Sequence, residues 1–203
     1  GADVSNYSVN DHADVTANIT AKTLTATASA SNKVYDGDNT ATTTLTLSGL
    51  IGSETLNSTN TSTFNNKNVG SNKAVTVTSI TLQDGSGDAD NYSISAGQTT
   101  IANITPKALT VSGITASNKI YDGNTVAILD TLLVNFGGLV SGDDVNITAS
   151  GNFSDKNVAN NKTVTITSSY AGTDLNNYLI TDQSTTLANI TERPAGITGI
   201  SVF

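Results

Sequence analysis

The densest group of ligand-type oxygens in this 203-residue chain is the run Asp84-Gly85-Ser86-Gly87-Asp88-Ala89-Asp90. Closely spaced carboxylates on a glycine-rich turn suit a hard cation, so Asp84, Asp88 and Asp90 are the candidate Ca²⁺ ligands. The run lacks EF-hand spacing and its closing bidentate glutamate. The corresponding stretch later in the chain reads Ala171-Gly172-Thr173-Asp174, so a calcium site would be local to one region. No other cofactor is expected. Catalysis has less to work with. The single histidine, His12, stands alone, and there is no cysteine, phosphate-cradling glycine loop or Gly-x-Ser-x-Gly elbow. The chain reads as a non-enzyme.

Lysines and aromatics recur at matched places. The eight lysines form four pairs, 22/107, 33/119, 67/156 and 73/162. One chemistry open to them is an intramolecular Lys–Asn isopeptide crosslink, which needs burial and a nearby carboxylate. The acids that track one another, Glu54 and Asp143, sit beside an expected turn, a poor place for burial. The other reading is aliphatic stems lying on apolar surface and charges guarding strand edges. Seven of the ten aromatics recur: Tyr7, Tyr92, Tyr178, Tyr35, Tyr121, Phe64 and Phe153. They read as core anchors, with hydroxyls tied to turn backbone, in preference to a platform for sugar rings. Phe136 and Tyr170 have no counterpart and are the candidate ligand-contacting aromatics.

These residues are positioned by a repeat. Ala-Asn-Ile-Thr begins at Ala17, Ala102 and Ala188, with steps 102 − 17 = 85 and 188 − 102 = 86. Asn-Lys-(Val/Ile)-Tyr-Asp-Gly occurs at 32–37 and 118–123, and Phe-x-x-Lys-Asn-Val at 64–69 and 153–158. Three extra residues enter between Gly123 and Gly138. The register divides the chain into closing strands of a truncated repeat (1–20), module one (21–105), module two (106–191) and a tail or opening of a further repeat (192–203). A chain that begins inside a module is expected to be a piece of a longer array.

Thr alternating with Val, Leu, Ile and Ala suits pleated, half-buried strands, and no segment carries helical periodicity. Seven strands are expected per module: 23–28, 33–35, 41–47, 56–64, 74–82, 92–95 and 99–104 in the first, and 108–112, 119–121, 126–133, 145–153, 163–168, 178–181 and 185–190 in the second. Turns such as Asp36-Gly37 and Asp84-Gly85 separate them. The expected fold is all-β, two tandem antiparallel Ig-like sandwiches, with a β-grasp-like small mixed sheet per module as the alternative. One residue joins the modules, and Pro106 fixes its own φ, which predicts an elongated rod with little hinge motion.

A net charge of −8 disfavours nucleic acid and anionic membranes as partners, and no apolar run is long enough to insert in a membrane. The nearest partners are neighbouring repeats of the same polypeptide.

Asn-Lys-Val-Tyr-Asp-Gly and Asn-Lys-Ile-Tyr-Asp-Gly, with the Phe-x-x-Lys-Asn-Val, Asn-Tyr and Ala-Asn-Ile-Thr elements after them, resemble the YDG repeat. The likeness covers about 170 of the 203 residues. It makes Tyr35, Asp36, Gly37, Tyr121, Asp122, Gly123, Phe64, Phe153, Tyr92 and Tyr178 the signature positions, structural in role. Such repeats are similar to the tandem modules of filamentous-haemagglutinin-like and high-molecular-weight adhesins of two-partner secretion. The resemblance implies an extracellular, surface-tethered stalk of an adhesin or biofilm protein. The alternative is that the modules themselves bind host or matrix glycans or proteins.

Overall fold

The computed structural model describes residues 3–8 and 14–196; His12 and the end of the 192–203 tail lie outside them. The protein is all-β, with three single-turn helical segments, Val4–Asn6, Ala89–Asn91 and Leu175–Asn177. In module one, Lys33–Val34, Thr99–Thr105, Gly70–Asp84, Leu56–Phe64 and Thr40–Ala41 lie side by side in that order as one sheet. Thr25–Ala30 pairs with Thr43–Ser48, and Lys22–Thr23 with Tyr92–Ser93. Module two repeats the five-stranded sheet as Lys119–Ile120, Thr185–Thr191, Ala159–Ala171, Asn146–Phe153 and Val126–Ala127. Its smaller sheet is Asn135–Gly137, Lys107–Ser112 and Tyr178–Thr181.

The five-stranded sheets and the smaller sheet of module two are mixed, as in the alternative expectation of a small mixed sheet per module, and not purely antiparallel. Lys33–Val34 runs parallel to Thr99–Thr105, and Lys107–Ser112 runs parallel to Tyr178–Thr181. Alternation within a strand reports which face is buried and says nothing of neighbour direction, so this feature could not be read from the pattern. Thr25–Ala30 and Thr43–Ser48 alternate strictly between exposed Thr or Ser and a part-buried face of Ala, Leu and Thr43. In module two the two layers close on Val111 and Ile114 from one side and Ile166 from the other.

Two expectations change. No strand forms over 14–20, and Ile19 is 100% exposed. Elsewhere Ala-Asn-Ile-Thr is a strand because Gly70–Asp84 or Ala159–Ala171 lies beside it, and a strand without a neighbour has unpaired backbone groups and nothing to hold it. The strand expected over 126–133 is broken into Val126–Ala127 and Leu129–Asp130, with Asn135–Gly137 following. The added residues arch outward there, leaving Leu132 and Leu133 at 90% and 81% exposure.

The recurrent asparagines are explained by a relay at the sheet edge. Asn32 Oδ1 accepts from the Asn103 backbone N–H at 2.7 Å, and Asn103 Oδ1 accepts from the Asn72 N–H at 2.7 Å. Asn118, Asn189 and Asn161 repeat it. Asn72 and Asn161 both take φ of 51°, in the left-handed region that asparagine tolerates, where the long strand is bulged.

Candidate functional site at the module junction

Thr99–Thr105 ends one residue before Lys107–Ser112 begins, so the modules meet end on. The contact is a core, not a touching of surfaces. Tyr35, Phe64, Val75, Ala102 and Ile104 of module one form a single buried cluster with Leu109, Val145 and Tyr178 of module two. Tyr35 and Tyr178 meet edge to face, centroids 5.6 Å apart.

A carboxylate lies at its centre. Asp143 Oδ2 accepts hydrogen bonds from the Tyr35 hydroxyl at 2.8 Å and the Tyr178 hydroxyl at 2.5 Å. Lys67 Nζ donates to Asp143 Oδ1 at 3.1 Å and lies 3.2 Å from Asp174. Its ammonium also stands 5.8 Å from the centroid of the Tyr35 ring. The Asp143 side chain is only 3% exposed. The turn is no obstacle to burial, because the neighbouring module covers it. Backbone contacts complete the joint: the Val69 N–H donates to Asn177 Oδ1 at 2.9 Å, and the Val140 N–H to the Tyr178 hydroxyl at 2.9 Å. Val140 packs onto Gly37, where an added Cβ would lie 2.6 Å from Val140 Cγ1. Gly37 itself has φ of 91°, which favours glycine.

The signature loop is held from beneath. Lys33 pairs with Asp36 at 2.7 Å and Asp38 at 2.8 Å while crossing the Phe64 ring at 5.9 Å. Lys119 does the same with Asp122 and Phe153. Burial lowers the Lys33 ammonium, but Asp36 and Asp38 outweigh it and leave its pKa raised. In the Tyr-Asp-Gly phrase, tyrosine and glycine therefore make the joint, and aspartate fixes the loop that presents them.

The profile of the YDG domain matches residues 20–101 and 105–186. The chain belongs to the YDG domain family. No curated protein and no solved structure matches it.

Among the other candidate positions of these YDG modules, Asp84, Asp88 and Asp90 do not assemble a cation site. Asp84 and Asp88 accept from the Ala89 and Asp90 backbone N–H groups at 2.8 and 3.0 Å, capping the short turn. Among the described residues, no group of three or more His, Cys, Asp or Glu side chains is placed to hold a metal. Phe136 is half-buried and packs between the junction cluster and the core of module two. Tyr170 is half-buried too and donates to Asp182, burial first and then that carboxylate pushing its phenol up to about 12. Neither stands free as a ligand platform. Lys73 reaches Asn66 Oδ1, and Lys162 reaches Asp155 Oδ1, each at 2.7 Å, but both acceptor side chains are exposed to water, unlike a crosslink site. Lys67 and Asp143 were visible as members of the recurring pairs Lys67/Lys156 and Glu54/Asp143, and Val69 and Asn177 within recurring phrases, but their meeting across the joint, and the part of Val140 in it, had no signal in the sequence.

The charges give the joint a pH window. Burial pushes the Asp143 carboxyl up, but the Tyr178 and Tyr35 hydroxyls and Lys67 outweigh it and hold it below the usual range. A depressed carboxyl contributes stability that is present above its ordinary value of about 3.9 and lost as pH falls through the folded value. Burial, then Asp143, raises the Tyr178 phenol from 10.0 to about 12, so its contribution is present below pH 10 and lost as pH rises toward 12. Alkaline titration of tyrosinate absorbance is expected to show a late-ionising class that moves to lower pH in Asp143→Asn. An unchanged curve would remove Asp143 from the joint.

Proposed function

We propose that the chain is a stalk segment of a bacterial cell-surface adhesin or biofilm protein, outside the cell, where tandem YDG modules project a binding region. The observation that supports it is the core shared across a one-residue linker: a module that completes its neighbour's core transmits orientation along the chain. The repeat-matched Tyr35, Gly37, Lys67, Asp143 and Tyr178 are spent on the joint between the modules. The family's association with filamentous-haemagglutinin-like surface proteins supports the location.

A second reading draws on Leu132 and Leu133, exposed at the arch that only module two carries. Singly exposed apolar residues are ordinary, but two at a loop tip make a contact point for a matrix protein or glycan. Small-angle scattering and matrix-ligand arrays test both readings. The stalk expects a profile fitted by one rigid arrangement and no saturable binding. A saturable signal abolished in Leu132→Asp/Leu133→Asp would favour the binder, and a profile needing many interdomain arrangements would contradict the stalk.

A further inference from the structure

The junction has two halves, and each module carries both. Tyr35, Gly37, Lys67 and Val69 form the receiving half in module one, and Val140, Asp143, Asp174, Asn177 and Tyr178 form the entering half in module two. The repeat places Tyr121, Gly123, Lys156 and Val158 at the receiving end of module two, and Ile51, Glu54, Asp88, Asn91 and Tyr92 at the entering end of module one.

The entering half of module one is already assembled. The Tyr92 hydroxyl donates to Glu54 and accepts from the Ile51 N–H at 3.1 Å, as Tyr178 does with Asp143 and Val140. Its outer surface is open: Ile51 is 57% exposed, and Asn91 is exposed where Asn177 is buried. The other end is preformed as well. Gly123 has φ of 85°, matching Gly37, and Lys119 holds Asp122 as Lys33 holds Asp36. Tyr121 is half-buried where Tyr35 is buried, and Lys156 and Val158 face water. A shallow cleft lined by Ile19, Lys22, Ile51, Glu54, Asn91 and Tyr92 marks the entering face.

We propose that these end faces are the two halves of the same joint, and that a second copy of this chain docks on them head to tail. The partner is set by continuity with the internal junction and by charge, with Lys156 meeting Glu54 and Asp88 as Lys67 meets Asp143 and Asp174. The Tyr121 hydroxyl donates to the Glu54 carboxylate, Ile51 sits against Gly123, and the Val158 N–H donates to Asn91 Oδ1. The incoming copy brings its own last strand, Thr185–Thr191, so residues 17–20, which form no strand, yield their place. Because the faces are heterologous, the contact does not close on itself, and the product is a linear chain of copies. This rests on the reading of the module junction as a stalk joint.

Sedimentation velocity over a concentration series tests it. The wild type is expected to show a sedimentation coefficient rising with concentration. Glu54→Lys and Lys156→Glu are each expected to sediment as monomers, since each sets like charges against one another. Mixing the two variants is expected to restore association, since both resulting contacts again join opposite charges. The chain has no cysteine, so Asn91→Cys and Val158→Cys, both at exposed positions, give a second readout. Mixed together they are expected to form a disulfide dimer faster than either forms alone. Wild type that stays monomeric up to millimolar concentration, or variants that associate as it does, would overturn the proposal. These substitutions leave Lys67 and Asp143 untouched, so a rigid internal joint in a chain that does not associate defeats this proposal and leaves the stalk reading standing.

Discussion

Asp143→Ala is expected to split the unfolding of this protein into two transitions. In the wild type, Asp143 is the one acceptor on which the Tyr35 and Tyr178 hydroxyls and the Lys67 ammonium converge. Removing it leaves two buried phenols without that acceptor. Hydrogen bonds to a charged group contribute about 1.5–3 kcal/mol each, so two lost together come to roughly 3–6 kcal/mol. Lys67 is 39% exposed and can turn to water, so its ion pair adds little to the loss. The loss falls on the coupling between modules more than on either module's sheets. Calorimetry should show one transition for the wild type and two for the variant, with Asp143→Asn between them because one oxygen acceptor survives. A single transition at an unchanged midpoint would mean the carboxylate is not what couples the modules.

The second large effect comes from comparing two glycines with the same place in the signature. Gly37 and Gly123 have φ of 91° and 85°, so alanine at either is strained by roughly 1–2 kcal/mol. At Gly123 a Cβ meets nothing within 4 Å, and strain is the whole expected cost. At Gly37 the Cβ would lie 2.6 Å from Val140 Cγ1, and overpacking adds about 1–3 kcal/mol unless the modules move apart. Gly37→Ala is therefore expected to destabilise more than Gly123→Ala in chemical denaturation, and to loosen the junction while Gly123→Ala does not. Equal effects of the two would show that the signature glycine serves only its own turn.

What could be read from the sequence divides along the same line. Strand positions were legible because Thr alternating with Val, Leu or Ala is a local pattern, and the element at 56–64 appears at its expected limits. The burial of Tyr35, Phe64, Tyr92, Phe153 and Tyr178 was legible because recurrence in a diverged pair of modules singles them out, whereas Tyr7, expected as an anchor by the same recurrence, is 78% exposed because no complete module surrounds it. Strand direction was not, since Lys33–Val34 lies parallel to a strand about 70 residues away for reasons of packing alone. Asp143 was misplaced for a related reason. A turn beside a strand is exposed in an isolated module, and its burial depends on the next module, which no local window contains. Asp84, Asp88 and Asp90 pointed to calcium by composition, while the backbone amides at Ala89 and Asp90 take up two of the three carboxylates.

The shared core and the Asp143 cluster are expected to hold the two modules as one rigid body. Residual dipolar couplings of backbone amides measure this directly, because each rigid body reports its own alignment. One alignment tensor is expected to fit both modules in the wild type, and two to be needed in Asp143→Ala. Two tensors of different magnitude in the wild type would contradict it.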